Sequence, residues 1–165
     1  MEGQIKMTQV GRVMNHPRIS ASTSTEIASA TLDDERAANA EMVGNKAARL
    51  ADLRGRGFNV PRGIVLTAAF CESSPSESAI VSALRDFKPD GHLVAVRSSG
   101  IAEDGDDEAM AGRYRTELNV AWSDLPASVL RCIAAAARVD EREGRTHQPV
   151  AILIQQMVPA DSAGA

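Results

Sequence analysis

The sequence predicts an α+β fold, a mixed β-sheet flanked by helices. Three observations carry that reading. Short apolar runs bounded by Gly or Pro recur along the chain, stretches of helical periodicity separate them, and 165 residues suffice for one sizeable core but not for two. Hydrophobic residues make up 44% and charged residues 24%, which excludes a wholly disordered or collagen-like chain.

In chain order, residues 1–30 are polar and Ser/Thr-rich around Ser20 to Thr25 and show no sustained periodicity, so they read as a flexible arm preceding an ordered domain over 31–165. Thr31 can cap a short acidic helix through Leu32-Asp-Asp-Glu35. Asn45 can cap a helix bearing Ala47, Leu50, Ala51 and Leu53, ended by Gly55 or Gly57. Ile64 to Thr67 follows Gly63 as a buried strand. Ser74, Pro75 and Glu77 then form a helix start, with Ile80, Val81, Leu84 and Phe87 on one face and Pro89 as the stop. His92 to Arg97 reads as a strand. After a long acidic loop, Tyr114, Thr116, Leu118 and Val120 alternate with Arg113, Arg115, Glu117 and Asn119, the pattern of a strand with one wet face. Ser123 or Asp124 caps a helix with Val129, Leu130, Ile133 and Ala137, and Pro149 introduces the strand Val150 to Gln155.

Charge and composition narrow the function classes. Eighteen Lys and Arg against 22 Asp and Glu give a net charge of −4, so no general attraction to nucleic acid or an anionic membrane is expected. Five aromatic residues, three Phe with one Tyr and one Trp, leave little for a base-stacking surface and predict an aliphatic core. Cys71 and Cys132 lack metal-ligand spacing and read as structural thiols of a reducing compartment. With no long apolar run and no apolar signal core, the cytoplasm is the expected location.

Three clusters carry possible chemistry: Gly44-Asn-Lys46 at a helix start, Arg97-Ser98-Ser99 at a strand end, and Ala111-Gly112 with Thr116 beyond the acidic loop. Together they suggest an anion site. A helix start presents amide donors and partial positive charge, Lys adds a mobile cation, Arg a fixed fork, and Gly lets backbone approach phosphate. Singly, each is ordinary: a Lys in a first helical turn is usually solvated and a strand-end Arg usually pairs with a carboxylate.

The order and wording of these blocks resemble a known family. Gly44-Asn-Lys-Ala-Ala-Arg-Leu50, Val60-Pro-Arg-Gly-Ile-Val-Leu-Thr67, Val94-Ala-Val-Arg-Ser-Ser99, Ala102-Glu-Asp104, Ala111-Gly112, Thr116-Glu-Leu-Asn-Val120 and Ile154-Gln-Gln-Met-Val158 are similar to the N-terminal nucleotide-binding domain of phosphoenolpyruvate synthases, pyruvate phosphate dikinases and rifampin phosphotransferases. The resemblance implies a partial ATP-grasp fold, the first lobe plus the linking strand, with ATP as ligand. It places Lys46 and Arg97 on the phosphates and Gly112 and Thr116 in a loop closing over them. Gln155, with the backbone of Met157 and Val158, would border the adenine.

Departures accompany it. Asn45 stands where the family usually has Gly, and Arg49 where it usually has Asn. Five of the six residues Glu103 to Glu108 are acidic, and these would repel ATP unless Mg²⁺ or Arg113 and Arg115 offset them. The segment between Thr67 and Val94 is shorter than usual. The second lobe, which carries the family's Mg²⁺ ligands, and the phosphohistidine domain would follow Gly164, so no catalytic or metal-binding residue is assigned here. His16, His92 and His147 read as structural or solvated. The expected function is an ATP-binding lobe of a phosphoenolpyruvate-synthase-like phosphotransferase, inactive alone. The alternatives are a non-catalytic interaction module on the same fold, self-associating or docked on a protein partner, and one half of a split enzyme whose partner supplies the second lobe.

Overall fold

The computed structural model describes residues 28–89, 91, 93–101, 115–142 and 148–159. Of the arm expected over 1–30, residues 1–27 lie outside the described residues, as do the acidic segment Glu103 to Glu108, Gly112, Arg113, Tyr114 and the three histidines, whereas Ser29 and Ala30 belong to the first strand. The elements run β1 (Ser29–Thr31), a 3-10 turn (Glu35–Ala38), α1 (Ala40–Gly55), β2 (Gly63–Leu66), α2 (Ala68–Glu72), α3 (Glu77–Ala83), β3 (Val94–Gly100), β4 (Thr116–Val120), a second 3-10 turn (Trp122–Asp124), α4 (Leu125–Arg142) and β5 (Val150–Gln156). None of these helices is long and apolar enough to cross a membrane.

Local chemistry places the boundaries, and several helix starts differ from expectation. Thr31 ends β1 instead of capping, and Asp34 caps the turn that follows by accepting the Arg36 N–H. α3 begins two residues later than Ser74 would start it: Ser76 is its cap, accepting the Ala79 N–H at 3.2 Å, while Ser74 sits at φ 54 in the connection. On α3 and the turn after it, Ile80, Ala83, Leu84 and Phe87 are buried but Val81 is exposed. The second 3-10 turn has no side-chain cap and runs straight into α4 through the helical Leu125. The buried stripe of α4 is Leu125, Ser128, Val129, Cys132 and Ala136, rotated from the expected one so that Ala137 is exposed.

The five strands form one sheet in the order β1-β2-β5-β3-β4. Every pairing is antiparallel, where a mixed sheet was expected. The reason is topological. The connection through α2 and α3 does bring β3 back parallel to β2, but β5 slots between them and runs opposite to both. The α+β class stands, with helices on both faces of the sheet.

Alternation along the strands divides the core in two. One face sets Ile64, Leu66, Val94, Val96, Ile152 and Ile154 against Cys71, Ile80, Leu84, Phe87, Leu125 and Val129 of the α2–α4 side. The other sets Ala30, Val65, Ala151 and Leu153 against Val43, Ala47 and Ala51 of α1. Alanines on both partners let α1 lie close to the sheet. That closeness, more than apolar area, is what positions the site.

Candidate functional site

Asn39 caps the first turn of α1, accepting the Glu41 N–H at 3.0 Å. The helix then breaks at Gly44, whose φ of 75° and ψ of 160° are far from helical, and resumes beyond it. Gly44 is pressed onto β3: a Cβ there would lie 2.2 Å from the Ser99 carbonyl oxygen and 2.4 Å from its hydroxyl. Asn45 was the expected cap, but its side-chain amide instead donates to the Ile101 carbonyl at 3.0 Å. The role falls to Ser99, whose fully buried hydroxyl accepts the Ala47 N–H at 3.1 Å. Lys46 lies between and donates its ammonium to the Ser98 carbonyl at 2.9 Å. Three consecutive residues of α1 are thus tied to the end of β3 and the residue that follows it.

The two clusters read from the sequence, Gly44 to Lys46 and Arg97 to Ser99, therefore meet. Arg97 is half-buried on β3, and its Nε is buried without a hydrogen-bond partner. A buried guanidinium nitrogen left unsatisfied is costly unless something accepts from it. In register, Arg97 stands between Leu153 of β5 and Thr116 of β4, so Thr116, which is exposed, shares its face. Gly112, the third expected phosphate-side residue, lies outside the described residues.

On β4 the facing differs from the expected alternation. Glu117 pairs with Val96 and Val120 with Val94, a register shift that adds a residue between them, and Asn119 takes a left-handed φ of 56°. The bulge puts Glu117 and Val120 together on the α4 side and leaves Leu118 on the other, 59% exposed. Glu117 accepts from Ser128, from Arg115 and from both Nε and Nη2 of Arg131, at 2.7 to 2.9 Å. The Arg131 fork, aided by Ser128 and Arg115 and opposed by desolvation, holds its carboxyl down at about 2. Arg115 therefore serves this ion pair on the α4 face and is not turned toward Arg97.

At the far end of the same face, Gln155 lies beside Ala95 and Gly63 and is 8% exposed. Its side-chain amide donates to the Pro61 carbonyl at 3.3 Å, leaving its carbonyl oxygen as an acceptor. The Met157 N–H donates to the Leu93 carbonyl at 2.9 Å, and Val158 beyond it is exposed. Along the face the chemistry is graded, from cationic at Lys46 and Arg97 to apolar and amide-bearing at Leu118, Ala95 and Gln155.

Other features stand apart. A cavity of about 170 Å³ lined by Cys71, Glu72, Ser74, Ile133, Ala137 and Val150 opens on the opposite face, away from these residues. Burial pushes the Cys71 thiol up to about 12 and the Cys132 thiol to about 11, so both are inert thiols. Among the described residues no group of three His, Cys, Asp or Glu side chains is placed to hold a metal ion. Ser99 and Leu118 are the residues the sequence reading did not assign. The first was legible only as a hydroxyl beside Arg97, and the second was read as facing a core.

Comparison with known proteins adds to this geometry. The sequence profile described as pyruvate phosphate dikinase, AMP/ATP-binding domain, matches residues 73–165, a span that includes Arg97, Thr116 and Gln155 but not Lys46. The prodigiosin synthesizing transferase PigC of Serratia marcescens is 36% identical over 108 residues, which cover 62% of this chain and 12% of that protein. The chain thus spans about an eighth of the length of this curated relative.

Proposed function

This chain belongs to the pyruvate phosphate dikinase AMP/ATP-binding domain family, and from that premise we propose that it is the ATP-holding lobe of a phosphoenolpyruvate-synthase-like phosphotransferase. The observation that carries the reading is the docking of the α1 start onto the end of β3 beside Arg97, whose buried Nε lacks an acceptor. A phosphate oxygen is such an acceptor. Lys46 would neutralise charge from the helix side and Arg97 would orient a phosphate through its fork, with Thr116 adding a hydroxyl from β4. Gly112 would let the backbone approach the phosphates. Gln155 and the backbone of Met157 and Val158 would border the base. ATP supplies the transferable phosphoryl group, while these residues bind and orient it. None of the residues assigned to the site carries a carboxylate for Mg²⁺, so no step is derived through a metal.

Phosphoryl transfer needs positioning together with charge neutralisation around the transferring group, and one face supplies only part of that. Residues 28–159 are therefore proposed to hold ATP without turning it over, in the cytoplasm, with the rest of the cleft supplied from outside them. The exposed Leu93, Trp122 and Val158 favour a second reading, a non-catalytic interaction module on the same fold.

Titration of the full chain with ATP, followed by backbone amide shifts, separates the two. Half a cleft predicts millimolar affinity, about −4 kcal/mol, with shifts clustered at Gly44 to Lys46 and Arg97 to Ser99. Arg97→Ala removes a charge-assisted contact of about 1.5–3 kcal/mol and should abolish measurable binding. Arg85→Ala, in the exposed turn after α3, should leave binding unchanged. Saturating ATP that moves none of these amides would leave the interaction module as the better account.

A further inference from the structure

We propose that Leu118 is the apolar floor on which the base of the bound nucleotide rests, making it a specificity-determining residue; this deepens the ATP reading and rests on it. Leu118 stands out among the exposed large apolar residues. Leu53 and Val81 lie on helices, and Phe58, Leu93, Trp122 and Val158 lie in turns and connections. Among the described residues only Leu118 is a strand residue, 59% exposed on the face of a sheet whose other apolar side chains are covered. A leucine on a strand face is ordinarily turned inward, and the bulge at Asn119 is what prevents it here.

The register says what the exposed side chain faces. Thr116 and Arg97 form one row across the sheet with Leu153. Leu118 lies in the bulge between the Glu117–Val96 and Val120–Val94 pairs, at the level of Ala95, which pairs in turn with Gln155. Two residues of strand separate the rows, about 7 Å, and four residues separate Ser99 from Ala95, about 13 Å. A ligand with its anionic end at Lys46, Ser99 and Arg97 therefore lays its remaining length toward Leu118, leaving room for phosphates and sugar before a flat group reaches the second row. Ala95, small and 7% exposed, puts no bulky side chain in that row, so Leu118 is its exposed apolar surface. Gln155 waits at the far edge with a free carbonyl oxygen, able to accept from an exocyclic amino group. An apolar floor with one polar edge is the chemistry that holds a purine.

The test separates base from phosphate by using two ligands, ATP and inorganic triphosphate, on the full chain. Leu118→Thr keeps a strand-compatible side chain but removes most of the apolar floor. It should weaken ATP about tenfold and leave triphosphate unchanged. Leu118→Met should keep both affinities, and Arg97→Ala should weaken both. Leu118→Ala gives a second reading should the Thr variant fail to fold. ATP binding unchanged in Leu118→Thr, or ATP and triphosphate weakened alike, overturns the base platform while the ATP lobe stands. A parent chain that binds neither ligand overturns both.

Discussion

At Gly44 a single methyl group would fall inside the van der Waals envelope of a backbone carbonyl, 2.2 Å from the Ser99 oxygen, on a residue whose φ of 75° already disfavours any side chain. Neither problem can be relieved separately, because α1 is also held by Asn45, Lys46 and Ala47. Gly44→Ala should therefore cost about 2–4 kcal/mol in urea unfolding and should also weaken ATP. Ser99→Ala is the milder probe. It leaves the Ala47 amide without its acceptor at about 1–2 kcal/mol, and that amide should exchange faster with solvent. A Gly44→Ala protein as stable as the parent would show that α1 does not pack on β3 as described.

Glu117 ties two elements together, so its ionisation is a property of the β4–α4 pair. Its carboxyl is held at about 2 against an ordinary 4.5, chiefly by Arg131. A group depressed in the folded state contributes stability that is fully present above its unfolded value and is lost as pH falls through the folded one. The contribution should accordingly be complete above about pH 5 and disappear between about pH 4.5 and 2. Glu117→Gln should flatten the acid limb of the stability profile in that window and leave ATP binding alone, since this cluster lies on the face away from Arg97. An unchanged acid limb would remove the ion pair from the account. The same strand shows where sequence reading stops. Arg97 and Lys46 were legible because a basic residue at a strand end or a helix start obeys local rules. Leu118, Glu117 and Arg115 were read on the wrong faces because one bulge residue inverts the alternation, and Asn119 carries no mark that distinguishes a bulge from a regular strand position. The cap of α1 was misread for a different reason: its acceptor comes from 52 residues away.

Across the whole molecule both thiols are buried, on α2 and on α4, and raised well above neutral pH. Neither Cys71 nor Cys132 should react with a thiol reagent at pH 8 until the chain is unfolded, and then both should react at once. Early labelling of one would show that its helix opens separately from the rest. β5 has the largest share in that cooperativity, since it pairs with β2 along one edge and with β3 along the other, and its Ala151 to Ile154 side chains belong to both cores. It is also the last of the five strands to be synthesised. Until residues 150–156 are made, β2 and β3 have no shared neighbour, and the β1–β2 and β3–β4 pairs keep open inner edges. Such edges are templates for any passing strand. β5 therefore joins the two halves of the sheet in one step, and until it pairs, both inner edges stay open to wrong partners.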